Sequence, residues 1–121
     1  MLECSMNFNT YLNENGVRIW CDLQRLYPAL RLHGLPQLRV DKRLTSCAGQ
    51  ARQAERVIQI SYHALVKHYN YTMGTILAHE LIHIADYDLH GPSELICGHG
   101  LLWRNMMLEY GLHPTINCVE F

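Results

Sequence analysis

Residues 75–88 read TILAHELIHIADYD. Ile76, Leu77, Leu81, Ile82, Ile84 and Ala85 recur at the three- and four-residue spacing of a buried helix. His79, Glu80 and His83 interrupt them with groups that are expensive to bury without partners. A helix that carries such groups on an otherwise apolar surface needs something to satisfy them.

His79 and His83 are four residues apart, so on a helix they stand one turn above the other and can bind a single ion. Glu80 falls on the same side, displaced from the imidazoles, where it reaches a metal-bound water without being a ligand. This is the His-Glu-x-x-His pattern of zinc hydrolases, in which the ion lowers the pKa of its water and the carboxylate takes the proton. A shared metal satisfies the polar groups. In a chain with eight histidines the bare pattern is not decisive, so its surroundings matter.

A catalytic zinc has three protein ligands and an open position. The metzincin continuation requires Gly at 86 and His at 89, whereas this chain has Asp86 and Leu89, which excludes that class. Glu94, Glu109 and His99 are the downstream candidates for the third ligand. His99 is favoured over both glutamates by ligand preference and position, because in CGHGLLW (97–103) it lies between two glycines at the start of a helix. Cys97 is read as a loop thiol. Its alternative is a thiolate that closes the site or acts as a removable inhibitor. Asp86, one turn beyond His83, either orients an imidazole from behind or is an exposed helix-end acid. His33, His63, His68, His90 and His113 lie off the ligand spacing and are read as surface or core residues, with His90 in the loop beside the site. Tyr87 and Tyr110 either supply a phenol or pack.

Outward from this helix, apolar residues from Phe8 to Leu30 recur on one face and predict a long helix over about 8–31, with an irregularity at Gly16 and an end at Gly34 and Pro36. QLRVDKRL (37–44), SCAGQARQ (46–53) and RVIQISY (56–62) are three short runs that suit a three-stranded antiparallel meander, with Gly49 marking a bulge or a close backbone approach. YHALVKHY (62–69) predicts a short helix, Thr72 a cap for the helix that carries the motif, and LLWRNMMLEY (101–110) a last helix stopped by Gly111 and Pro114.

The 121 residues form one expected domain, 1–121, with 49% hydrophobic and 17% charged residues, neither disordered nor fibrous in composition. No apolar run is long enough for a membrane span, and the N-terminus lacks the pattern of a secretion signal, so a soluble cytoplasmic protein with no membrane partner is expected. Five cysteines without a CxxC pair argue against a disulfide framework and a zinc ribbon; Cys21 and Cys47 are expected to pack as small apolar groups. Residues 25–56 carry seven Lys or Arg against two acids. This basic segment points weakly to a polyanion such as DNA, against the plainer reading of a solvated face.

The long leading helix, TSCAGQA (45–51), VIQISYHAL (57–65), and the motif helix followed by GHGLLW (98–103) together resemble the SprT-like (Spartan-like) zinc metalloprotease domain, over about residues 8–113. The resemblance implies an α+β, zincin-like fold with a small antiparallel sheet beside the active helix. It implies that His79, His83 and His99 bind zinc and that Glu80 is the general base. Many members continue into a cysteine zinc ribbon or tails that bind DNA, whereas this sequence ends at INCVEF with Cys118 alone. It is therefore read as a minimal form without the ribbon. The expected function is a zinc-dependent endopeptidase acting on protein or peptide substrates, with DNA-associated proteins as a candidate target. The alternatives are a catalytically silent zinc-stabilised module that binds protein or nucleic acid, and a zinc hydrolase whose substrate is not a peptide.

Overall fold

The computed structural model describes residues 8–92 and 100–114. It is an α+β arrangement of four main helices and a three-stranded sheet. Helix α1 spans Phe8–Leu26 and buries Leu12, Ile19, Trp20 and Leu23. It ends earlier than the predicted residue 31. Pro28 has no N–H to continue the ladder and disfavours helical backbone at Tyr27, so the chain restarts as a 3-10 turn over Pro28–Leu32. Gly16 does not interrupt α1. It is buried, and a Cβ there would lie 2.3 Å from the Leu38 side chain, so the glycine lets the helix approach the sheet.

Strands β1 (Gln37–Asp41), β2 (Gly49–Arg52) and β3 (Val57–Ser61) pair in the order β1-β3-β2. The expected antiparallel meander is corrected to a mixed sheet: β2 and β3 form an antiparallel hairpin, but β1 runs parallel to β3, with Leu38 opposite Ile58 and Val40 opposite Ile60. The physical reason is the connection. The chain leaving β1 crosses to the far edge before it returns through the hairpin, which leaves the central position to β3. The period-2 pattern holds in every strand. Leu38, Val40, Gly49, Ala51, Ile58 and Ile60 share one face and pack into the core, while Arg39, Gln50 and Arg52 on the other face are exposed.

Ser61 caps helix α2 (Tyr62–Lys67), accepting a hydrogen bond from the Ala64 N–H. A short turn at Tyr69–Tyr71 then passes into a π turn, Thr72–Ile76, and on into helix α3, Leu77–His90. Thr72 is thus not the cap the sequence suggested. Its hydroxyl donates to the Ala64 carbonyl at 3.2 Å, and the helical run is already under way. Ten consecutive residues of α3, Leu77–Asp86, are buried, which places this helix at the centre of the molecule. Helix α4, Leu101–Tyr110, covers it from one side and stops at Gly111, whose φ of 100° suits glycine.

Arg56 closes the β2–β3 turn at φ 55°, an uncommon region for a non-glycine residue. Its guanidinium reaches both Asp88 carboxylate oxygens, at 3.2 and 2.8 Å, and the Gly34 carbonyl at 2.6 Å. One side chain thereby ties the hairpin turn to the last turn of α3 and to the loop before β1. Because Asp88 has only 4% of its side chain exposed, this paired cation does not belong to a basic surface. Arg25 similarly pairs with Asp22. Cys21 is exposed on α1, contrary to the expected packing, while the Cys47 thiol is half-buried and donates to the Gly49 carbonyl at 3.3 Å. Among the described residues no helix is long and apolar enough to cross a membrane. Cys4, Glu94, Cys97, His99 and Cys118 lie outside the described residues.

Candidate metal centre

The site is built on α3. His79, Glu80 and His83 are all buried, and one ligand atom from each lies within 4.8 Å of the others. The two imidazoles turn towards each other so that their Nε2 atoms stand 3.2 Å apart. Two nitrogens on one tetrahedral zinc, each bonded at about 2.05 Å, would be separated by roughly 3.3 Å. The donor set therefore fits one shared ion. A Glu80 carboxylate oxygen lies 3.9 Å from His79 Nε2, close enough to join the cluster. Imidazole and carboxylate donors are a chemistry that divalent ions of the zinc group accept.

Three elements hold these side chains. Trp103, fully buried on α4, stacks on the His83 ring with centroids 4.8 Å apart and planes 12° apart, and meets the His79 ring edge-on at 5.1 Å. The Gln53 amide, from the hairpin turn, donates to the His83 carbonyl at 2.9 Å. On the opposite side β2 brings Gly49 against α3, so close that a Cβ would lie 2.9 Å from Ile76 Cγ2 and 3.1 Å from Glu80 Cγ. The expected close backbone approach at Gly49 is present, and it is an approach to the site itself. Gly49→Ala is expected to lower stability by about 1–3 kcal/mol through overpacking, measured by urea denaturation. Gly74→Ala, where a Cβ meets nothing within 4 Å, is the comparison that should cost nothing; equal losses in both would mean that β2 yields freely.

Burial pushes the Glu80 carboxyl up from 4.5 to about 8 in the metal-free protein, because desolvation penalises its charged form. Asp86 is buried rather than exposed, and the imidazole it holds belongs to neither motif histidine. It pairs with His90, Nδ1 to Oδ1 at 2.7 Å; His90 is exposed, as a surface residue was expected to be, but it is the last residue of α3 and not part of the loop that follows. Glu109 accepts a hydrogen bond from the Tyr27 hydroxyl at the far end of α4, and the Tyr110 hydroxyl turns to Asp22 on α1 at 3.4 Å; neither is drawn to the cluster. His63 and His68 are exposed, as anticipated for side chains off the ligand spacing. His99, the favoured third ligand, and Glu94 and Cys97 beside it fall outside the described residues. Sequence reasoning missed Trp103 as the wall of the site, although the tryptophan ends the segment GHGLLW.

No curated protein and no solved structure gave a match to the chain. A family model, that of the SprT-like family, matches residues 23–118. The matched segment runs from within α1 to beyond α4 and so contains the sheet, the buried cluster and its tryptophan wall: the chain belongs to the SprT-like family.

Proposed function

We propose that this protein is a zinc-dependent endopeptidase of zincin-like architecture, with His79, His83 and His99 as metal ligands and Glu80 as general base. The observation that carries the reading is the convergence of two buried Nε2 atoms, 3.2 Å apart, beside a buried carboxylate. When bound there, zinc supplies Lewis acidity and lowers the pKa of a coordinated water towards neutrality. Glu80 takes the proton from the attacking water and passes it to the leaving nitrogen, the work of a buried carboxylate placed beside the imidazole pair. Trp103 and Gln53 keep the imidazole-bearing turn in place while this happens. β2 is an edge strand next to α3, and an extended peptide added to that edge would be recognised through its backbone, with little demand on sequence.

DNA-associated proteins are candidate substrates within this reading. With Arg25, Arg52 and Arg56 paired to Asp22, Glu55 and Asp88, Arg31, Arg39, Lys42 and Arg43 are the exposed cations of the basic segment that remain for a phosphate backbone.

The test is metal content and proteolysis of an unfolded protein on one preparation, before and after chelation and after re-addition of zinc. The expected outcome is about one zinc per chain, with hydrolysis lost on chelation and restored by the metal. Zinc that binds and rebinds with no hydrolysis, with or without single-stranded DNA, would instead favour the silent binding module.

A further inference from the structure

His79, Glu80 and His83 sit on one helix, so where they point depends on how α3 is rotated about its own axis. A helix with its side chains is about 10–12 Å across, so a rotation of roughly 10° moves a side-chain tip by about 1 Å. The apolar packing around α3 is non-directional and resists such a rotation only through its shape. Directional contacts off the axis resist it directly, and the β2–β3 turn supplies them. The Gln53 carbonyl accepts the Arg56 N–H at 3.2 Å and closes the turn. From its two ends the turn grips α3 at points about 7.5 Å apart along the axis. The Gln53 amide donates to the His83 carbonyl at 2.9 Å, and the Arg56 guanidinium donates to the Asp88 carboxylate at 3.2 and 2.8 Å. The His83 carbonyl needs no second donor. Inside α3 it already accepts from the backbone N–H four residues on, and the half-buried Gln53 side chain could have turned to water instead. Arg56 holds φ at 55°, a backbone that glycine adopts without strain, and it is the guanidinium that makes the grip on Asp88 and Gly34.

We propose that the β2–β3 turn is a rotational lock on α3, in which Gln53 is the positioning residue for the metal ligand His83 and Arg56 anchors the turn. The inference rests on the endopeptidase reading at one point, that a further ligand reaches the ion from outside α3. A rotation of α3 carries His79 and His83 together and leaves their Nε2 atoms 3.2 Å apart. What it changes is the aim of the pair towards groups that the helix does not carry. Gln53 fixes that aim from the main chain, while Trp103 fixes the His83 ring from α4.

Two substitutions in the full chain test this. Gln53→Met keeps length and volume but cannot donate, and Gln53→Lys restores a donor of similar reach. Each is compared with wild type after loading with zinc and, separately, with cobalt(II), whose visible absorption bands report ligand geometry at the same donors. Gln53→Met is expected to bind zinc roughly tenfold more weakly in competition with a zinc-binding dye, the scale of loss when a group that orients a ligand is removed. Its cobalt bands should be shifted in the fully saturated protein. Gln53→Lys should return both readings towards wild type. A residue that merely stabilises the hairpin would lower the urea midpoint yet leave zinc affinity and cobalt bands unchanged in folded, saturated protein. That result overturns the lock and leaves the endopeptidase standing. Weakened zinc and shifted bands in Gln53→Met, beside a zinc-loaded wild type that cleaves no unfolded protein, support the lock and overturn the endopeptidase. A wild type that takes up neither ion overturns both.

Discussion

Glu80→Gln protein is expected to retain zinc in the wild-type ratio and to hydrolyse peptides about a hundred- to ten-thousandfold more slowly. The substitution keeps the shape of a buried side chain that packs against Gly49, so the two imidazoles keep their places. What disappears is the group that carries the proton from water to leaving nitrogen. Metal analysis and single-turnover cleavage on the same sample separate these effects, and a variant that holds zinc and still cleaves at the wild-type rate removes Glu80 from the mechanism. The same protein carries a stability signature. In the metal-free wild type the folded carboxyl titrates near 8, against an ordinary value of 4.5, so the folded state binds the proton more tightly than the unfolded state. The stability this contributes is complete below about pH 4.5 and is lost as pH rises through 8, by on the order of a few kcal/mol. Glutamine does not titrate. Metal-free Glu80→Gln should therefore gain on wild type in denaturation midpoint between pH 5 and pH 8, and parallel curves would show that the carboxyl is not held neutral.

Trp103→Ala is expected to lose about 3–5 kcal/mol of stability, the cost of deleting a large side chain from a close-packed interior. Trp103 is fully buried, and its ring contacts both imidazoles of the cluster. Its removal should therefore weaken metal binding as well as folding, because the flat surface that orients His83 goes with it. Trp103→Phe keeps an aromatic face and is expected to recover most of the metal affinity while still costing some stability. Guanidinium denaturation and competition with a zinc-binding dye measure the two quantities. If metal affinity in Trp103→Ala is unchanged once the fold is saturated with zinc, the tryptophan is a core residue only.

What could be read from the sequence follows the range of the interaction that fixes each feature. His79 and His83 come together through a local spacing of four residues, and the alternation in VIQIS fixes which side chains of β3 enter the core. Asp86 and His90 share that spacing of four, so their pairing was legible too, though the expectation weighed Asp86 only against the motif histidines. The direction of β1 was not legible. Period-2 patterning specifies a face, not the sense in which two strands run, and the crossing of the chain between β1 and β2 carries no local signature. The Arg56 ties to Asp88 and Gly34 join segments 32 and 22 residues away, and composition alone counted that arginine with the free cations. Trp103 reaches the cluster only once α4 is folded over α3, a contact between elements that no periodicity announces.

A π turn holds one residue more than the α turn it replaces, so the helical run from Tyr69 to His90 changes phase by about 100° on passing through Thr72–Ile76. Before that point the run is set by α2, through the Thr72 hydroxyl on Ala64. After it the run is set by the sheet and α4, which decide where His79 and His83 point. An unbroken α-helix of the same residues can meet one of those two demands and must rotate away from the other. The extra residue is thus a phase shifter, which lets the ligand-bearing face be aimed independently of the segment that leads into it.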